Sequence, residues 1–255
     1  MDNVTETAIR QHLHTATFGR ELQVADVLPS TNVTARELAQ QGAPEGTVVV
    51  AAAQTAGRGT RSRAFFSPQG GVYMSIILRP READGCLITS CAAVAVARAI
   101  ERLCPLNVRI KWVNDLYVGG KKLCGILTEA GFSPDNALDY VVLGIGVNVA
   151  AVTFPPEIAA IATSLGNEGR AVDRAALIAA ILEEWETAYA TIGSGDFLAE
   201  SRARSCVLGQ RVTVTRGNEQ FVATATAIDD RGHLLVETAE GDSVTLHSGE
   251  VSIRI

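Results

Sequence analysis

The chain has 255 residues, 47% hydrophobic and 20% charged, which suits a globular enzyme built as one large domain or as a core with a small module. A formal net charge of −6 announces no basic surface for nucleic acid, so the cations clustered at 58–63 and 109–122 are local exceptions suited to a small anionic ligand. Five cysteines without a C-x-x-C pair argue against a disulfide framework or a zinc site and fit a reducing cytoplasm, and no apolar run reaches the roughly 18–20 residues of a membrane span.

Residues 1–25 read as a short extension without the basic-then-apolar pattern of a signal peptide. Helical spacing of Val33, Ala35, Leu38 and Ala39 predicts a helix from Thr31 to Gln41, with Ser30 or Thr31 placed to cap it and Gly42 and Pro44 to stop it. Thr47 to Ala53 reads as a buried strand, and Val72 to Leu78 as another, bounded by Gly70-Gly71 and Pro80. Cys86 to Leu103 is apolar nearly all round and predicts a buried helix ending before Pro105. Val108 to Trp112, Asp115 to Val118 and Lys121 to Glu129 predict strands, the last two joined by a Gly119-Gly120 hairpin turn. Tyr140 to Val149 reads as an apolar strand. Asp173 is placed to cap a helix from Arg174 to Thr191 with Ile178, Ile181, Leu182 and Trp185 on one face, and a short helix near Phe197 to Arg204 follows. From Val207 onward, short strands at 211–215, 221–228, 234–238 and 243–247 alternate with turns, which suggests a small barrel of about five strands.

Chemistry concentrates in two blocks. Gln54-Thr55-Ala56-Gly57-Arg58-Gly59-Thr60-Arg61-Ser62-Arg63 is a loop whose glycines let backbone approach an anion and whose arginines offer guanidinium forks to phosphate or carboxylate. Lys111-Trp112-Val113-Asn114-Asp115-Leu116, continuing to Lys121-Lys122-Leu123-Cys124-Gly125-Ile126-Leu127, sets lysines and an acid on a strand hairpin. Joining a carboxylate to the α-phosphate of ATP forces two anions together, and such a site must supply cations and N–H donors where charge accumulates. The two blocks therefore suggest acyl-adenylate chemistry. Neither is a Walker loop. Gly144-Ile145-Gly146 lacks the third glycine and following helix of a dinucleotide site. His12, His14, His233 and His247 are scattered, so no protein-built metal site is expected.

The pattern Gly57-Arg58-Gly59-Thr60-Arg61-Ser62-Arg63-Ala64-Phe65-Phe66-Ser67-Pro68, with Lys111-Trp112-Val113-Asn114-Asp115-Leu116 and Lys122-Leu123-Cys124-Gly125-Ile126-Leu127-Thr128-Glu129, resembles the signature of biotin protein ligases. Ser30-Thr31-Asn32 and Gly144-Ile145-Gly146-Val147-Asn148-Val149 match further family motifs. In the tail, Leu208-Gly209-Gln210-Arg211-Val212, Gly232-His233-Leu234-Leu235-Val236 and Ser248-Gly249-Glu250-Val251-Ser252 resemble the family's SH3-like C-terminal domain. The resemblance runs from about residue 25 to 255.

It implies an α/β (α+β) catalytic domain over residues 1–205, with a mixed sheet flanked by helices, and an SH3-like barrel over 206–255. Biotin and ATP, with Mg²⁺, would give biotinyl-5′-AMP, and a lysine of a biotin carboxyl carrier protein would then accept the biotin. The implied biotin-binding residues are Ser30, Thr31, Asn32, Gln54, Arg58, Gly59, Thr60, Lys122 and Gly125, with Phe65 covering the biotin tail. Nucleotide contacts are implied for Arg58, Arg61, Arg63, Lys111, Asn114 and Asn148, and catalytic roles for Lys122, Arg58, Asp115 and Lys111. Lys122 would hold the carboxylate and α-phosphate together, while Asp115 would orient the incoming amine or help hold the metal. The resemblance further implies a cytoplasmic enzyme, monomeric or homodimeric, without membrane attachment.

Three positions depart from the family pattern. Thr60 stands where a second loop arginine is usual, Ser62 replaces a glycine, and Val113 replaces a proline. Loss of that arginine predicts faster leakage of biotinyl-AMP. Roughly twenty-five residues precede the catalytic region, fewer than a DNA-binding helix-turn-helix module needs, so no DNA binding is expected. A lipoate–protein ligase shares the adenylate chemistry, but its apolar dithiolane needs no ureido partners, and Gln54 with Ser30-Thr31 favours biotin. A biotin sensor without catalysis is the other alternative; Arg58, Lys111, Asp115 and Lys122 argue against it.

Overall fold

Nearly unbroken apolar runs along 48–54 and 72–78 give two strands that bury side chains on both faces, and so demand a covering layer on each side of a sheet. The computed structural model describes residues 4–60, 63–80, 85–216, 219–247 and 250–253; Arg61, Ser62, Ser248 and Gly249, singled out above, lie outside them. In chain order the elements are α1 (Glu6–His12), β1 (Leu22–Leu28), α2 (Thr31–Gln40), β2 (Val48–Gln54), β3 (Val72–Leu78), α3 (Gly85–Leu103), β4 (Arg109–Lys111), β5 (Asp115–Val118), β6 (Lys121–Phe132) and β7 (Leu138–Val147). Then come α4 (Pro156–Ala159), α5 (Arg174–Ala190), α6 (Phe197–Arg204), β8 (Arg211–Arg216), β9 (Glu219–Ile228), β10 (Leu234–Thr238), β11 (Ser243–Leu246) and β12 (Glu250–Ile253).

The first seven strands form one mixed sheet in the order β1-β2-β3-β7-β6-β5-β4. Only the β1–β2 pair is parallel; the other neighbours run antiparallel. Period-two alternation assigns each side chain to a face. Val48, Val50, Met74, Ile76, Leu143 and Ile145 point into the main core with α3, α5 and the buried Trp185. Val49, Ile77 and Val142 point the other way and pack under Ala35 and Ala39 of α2. Helix α2 covers only β2, β3 and the far half of β7, so the sheet surface around Gly125, Gly144 and Gly146 is left as the floor of a cleft.

Asp173 caps α5 by accepting from Ala176 N at 2.7 Å, as its position predicts. Ser30 occupies the N-cap position of α2 without a side-chain capping bond; Gln54 Oε1 takes the Thr31 N–H instead, at 2.8 Å. That side chain is thereby freed for the cleft. Gly119 and Gly120, at φ +57° and +79°, supply the left-handed pair a two-residue β5–β6 hairpin requires. Helix α1 and strand β1 fall in the segment where sequence pattern gives no element.

The second sheet, of five antiparallel strands, has the order β11-β10-β9-β8-β12. Its core of Val212, Val214, Ala225, Leu234 and Val236 closes against Trp112 and Cys86 of the larger unit. Trp112 Nε1 donates to Gly232 O at 2.8 Å, which ties the turn before β10 to the segment after β4, and Arg202 Nε of α6 donates to Ile228 O at 2.7 Å at the end of β9. Among the described residues no helix is long and apolar enough to cross a membrane.

Candidate functional site

The cleft on the exposed sheet face is walled by α2, by the loop after β2 and by the β5–β6 hairpin. Its floor is made by subtraction. Gly125 and Gly146 pair in register across β6 and β7, and Gly144 lies opposite Leu127. A Cβ at Gly144 would stand 2.0 Å from Asn32 Oδ1, and one at Gly146 would stand 2.6 Å from Phe65 Cε1. Absence of side chains at these points lets Asn32 and the Phe65 ring lie directly on the sheet.

A bulge then brings in the lysine. Leu116 pairs with Cys124 but Tyr117 with Lys122, so β6 carries one extra residue, Leu123, at that step. Beyond the bulge Cys124, Ile126 and Thr128 face the helices, with Thr128 Oγ1 2.8 Å from Thr89 Oγ1 of α3. Gly125, Leu127 and Glu129 face the cleft. Lys122 would fall on the helix face by simple alternation; the extra residue turns it to the cleft, where its Nζ is 2.7 Å from Asp115 Oδ1 and 5.7 Å from the Phe65 ring centre. The Lys122–Asp115 contact joins opposite charges without hydrogen-bond alignment, and Asp115 Oδ1 is buried with no hydrogen-bond donor.

A chain of polar groups crosses the α2 end of the cleft. Ser67 Oγ donates to Phe65 O at 2.9 Å and accepts from Gln54 Nε2 at 3.0 Å. Gln54 Oε1 takes Thr31 N at 2.8 Å and lies 3.2 Å from Thr31 Oγ1. Ser75 Oγ stands 2.8 Å from Thr31 Oγ1 and 2.6 Å from Asn32 Oδ1. Asn32 Nδ2 donates to Glu129 Oε2 at 2.8 Å, and Arg58 Nη2 pairs with Glu129 Oε1 at 3.2 Å. Between Gln54 Oε1 and Asn32 Oδ1, which only accept, the hydroxyls of Thr31 and Ser75 bring two protons to three contacts. Gln54 Oε1 is already held by the Thr31 N–H, so the two hydroxyl protons can run from Thr31 to Ser75 and from Ser75 to Asn32 Oδ1, and the chain presents acceptor oxygens suited to a ligand that donates.

The structure brings Ser30, Thr31, Asn32, Gln54, Arg58, Gly59, Thr60, Phe65, Asn114, Lys122 and Gly125 to this one cleft. Asp115 stands behind Lys122. Lys111 does not line the cleft; its Nζ lies 5.6 Å over the Tyr117 ring at the sheet edge. Asn148 is buried, donates from Nδ2 to Thr163 O at 2.9 Å, and borders a smaller recess beside Gly70 and Gly71. Arg61 lies outside the described residues, and Arg63 does not border the cleft. Three contributors went unread in the sequence: Ser75, Glu129 as an ion-pair partner, and Gly144 as floor. Ser75 and Glu129 sit at cleft-facing positions of strands, the one signal that could have found them. Cys124 backs the site on the helix face, and burial pushes its thiol well above the ordinary range, which leaves it a packing group.

Comparison with known proteins agrees with this geometry. Residues 24–148 match the biotin/lipoate A/B protein ligase family, and residues 207–254 match the biotin protein ligase C-terminal domain. The bifunctional ligase/repressor BirA of Bacillus spizizenii is 42% identical over 93% of this chain and 76% of its own length. The biotin–[acetyl-CoA-carboxylase] ligase of Mycobacterium tuberculosis is 34% identical over 96% of this chain and 94% of its own. A solved biotin protein ligase from Aquifex aeolicus, in complex with biotin and ATP, superposes with a TM-score of 0.80 at 27% identity, over 92% of this chain and 99% of that one.

Proposed function

Because the chain belongs to the biotin protein ligase family, we propose that it activates biotin with ATP and transfers it to a lysine of a biotin carboxyl carrier protein. The biotin carboxylate attacks the α-phosphorus of ATP, pyrophosphate leaves, and the mixed anhydride biotinyl-5′-AMP forms. The acceptor amine then attacks the acyl carbon, an amide forms, and AMP leaves. The observation that carries this reading is the pairing, within one cleft, of an acceptor-rich hydroxyl–amide chain with the cations Arg58 and Lys122. A ureido ring donates two N–H groups, which the acceptor oxygens of the Thr31–Ser75–Asn32 end complement; an apolar dithiolane offers them nothing.

Each residue then has a physical task. Lys122 neutralises the approaching carboxylate and α-phosphate, and Arg58 adds a planar fork to the phosphate. Phe65, stacked on the glycine floor, closes over the aliphatic tail and keeps water from the anhydride. Asp115 orients the acceptor amine on the far side of Lys122, and Asn114, Asn148, Lys111, Arg61 and Arg63 serve the nucleotide. Magnesium would come as a companion of ATP, held chiefly by the phosphates whose charge it would neutralise, since Asp115 Oδ1 is already engaged by Lys122 Nζ at 2.7 Å. The catalytic unit runs over 1–205, and the five-stranded unit over 206–255 is an SH3-like barrel.

Biotin-dependent exchange of pyrophosphate into ATP tests the reading. Exchange with biotin but not lipoate, reduced at least a hundredfold in Lys122→Ala, is the expected result. Exchange with lipoate would move the chain to the lipoate branch, and tight biotin binding without exchange would make it a sensor.

A further inference from the structure

Ser75 is wholly buried in the middle of β3, paired with Val49 of β2 on one side and Gly144 of β7 on the other. Alternation puts it on the same face as Ile77, which packs under α2. It does not border the cleft, yet its hydroxyl touches two residues that do: Thr31 Oγ1 lies 2.8 Å away and Asn32 Oδ1 2.6 Å. The Asn32 amide is oriented by what its nitrogen meets, since Nδ2 faces Glu129 Oε2 at 2.8 Å and Leu127 O at 3.5 Å, both acceptors. Oδ1 is therefore the atom turned to Ser75, and it takes the serine proton. With that proton spoken for, the 2.8 Å contact needs the proton of Thr31. The contact left without one is then the longest of the three, 3.2 Å between Thr31 Oγ1 and Gln54 Oε1.

We propose that Ser75 is a positioning residue that sets ligand specificity: it draws the Thr31 hydroxyl proton into the sheet and leaves Thr31 Oγ1 facing the cleft as an acceptor only. The reading of the cleft as a biotin site underlies this. An acceptor-only Thr31 receives a ring N–H and repels a ring oxygen in the same place. Without Ser75 the Thr31 hydroxyl can turn its proton outward, because Gln54 Oε1, at 3.2 Å and already held by the Thr31 N–H, draws it less strongly. The wall would then serve either kind of ring atom. Selection of a cyclic urea over a cyclic carbamate is thus set one layer behind the side chains that touch the ligand.

The test measures pyrophosphate exchange by the intact protein with biotin and with two analogues, in which one or the other ring N–H is replaced by oxygen. Each analogue keeps the carboxylate that reacts. In the unaltered protein one of the two should fall about ten- to fiftyfold below biotin in kcat/KM. Ser75→Ala should shrink that gap by about three- to tenfold, through KM, with kcat for biotin changed less than about threefold. Ser75→Cys, whose thiol is a weak donor and acceptor, should give an intermediate gap, and it carries the same comparison if alanine leaves the strand unfolded. Thr31→Val should lower biotin toward the disfavoured analogue and close the gap from the other side. Equal weakening of biotin and both analogues in the Ser75 variants would mark a merely structural serine and overturn the proposal. Equal use of all three acids by the unaltered protein would also overturn it, while leaving the ligase reading intact. Absence of exchange with biotin would overturn that reading and the proposal with it.

Discussion

At Gly144 a single methyl group decides whether Asn32 keeps its place. A Cβ there would stand 2.0 Å from Asn32 Oδ1 and 2.8 Å from its Cγ, so the amide must move, while alanine adds no more than a methyl group to the strand. Gly144→Ala is expected to weaken biotin binding about tenfold, roughly 1.4 kcal/mol, with a melting temperature close to that of the unaltered chain. Calorimetric titration with biotin beside a thermal scan separates the two effects. Thr60 gives a prediction of opposite sign. It borders the cleft with a short hydroxyl at the loop position where the family resemblance implies an arginine, so Thr60→Arg should slow escape of the adenylate several-fold. Hydroxylamine trapping of released biotinyl-AMP measures this, and an unchanged rate would sink the idea. Much of the residue scale was open to sequence reading, because Gln54, Arg58 and Lys122 stand in spaced motifs. Ser75 and Glu129 were not, since each gains its meaning from a partner more than forty positions away.

Elements are held together by carboxylates that keep their charge. Arg204 of α6 donates to Glu101 of α3 at 2.8 Å and 2.9 Å and to Glu200 at 2.7 Å, and Arg98 of α3 reaches Glu200 at 2.6 Å. The Arg204 hydrogen bond sets Glu101 below the ordinary glutamate range of 4.5. Burial pushes Glu200 upward, but the hydrogen bonds from Arg98 and Arg204 outweigh it and its net shift is downward. A carboxylate depressed in the folded state adds stability that is present above its unfolded value and is lost as pH falls through its folded one. Melting temperature should therefore drop steeply below about pH 4.5, and Glu101→Gln should shallow that slope at a cost of about 1 kcal/mol at neutral pH. Thermal scans between pH 3 and pH 7 provide the check. Helices α3 and α5 and strands β2, β3 and β7 were legible because their apolar periodicity is long and unbroken. Helix α1 buries only Ile9, and the inside–outside pattern of β1 is irregular, so neither left a readable signal.

Across the whole molecule the two sheets share a seam rather than a linker. Trp112 belongs to the core of the second sheet although it follows β4 of the first, and its indole donates to Gly232 at 2.8 Å. Trp185, the other tryptophan, lies in the helical layer of the first core, stacked on Tyr189 at 4.8 Å. Each can report on its own half. Fluorescence of Trp112→Phe and Trp185→Phe in urea, each compared with that variant's own far-ultraviolet dichroism, should give coincident transitions. Two separated midpoints would show that the halves unfold independently. The seam was invisible in the sequence, because nothing local distinguishes an indole that packs forward along the chain from one that packs back. The bulge at Leu123 carries the last consequence. Deletion through the β5–β6 hairpin should sort into two kinds: loss of Leu123 removes a wholly buried side chain but leaves Lys122 next to Cys124, so plain alternation still turns Lys122 to the cleft and stability falls before exchange does, whereas shortening the solvent-exposed turn mainly loosens the hairpin. A deletion library scored for solubility and for exchange would find that this triplet is spent on the core, while the direction of the lysine survives its loss.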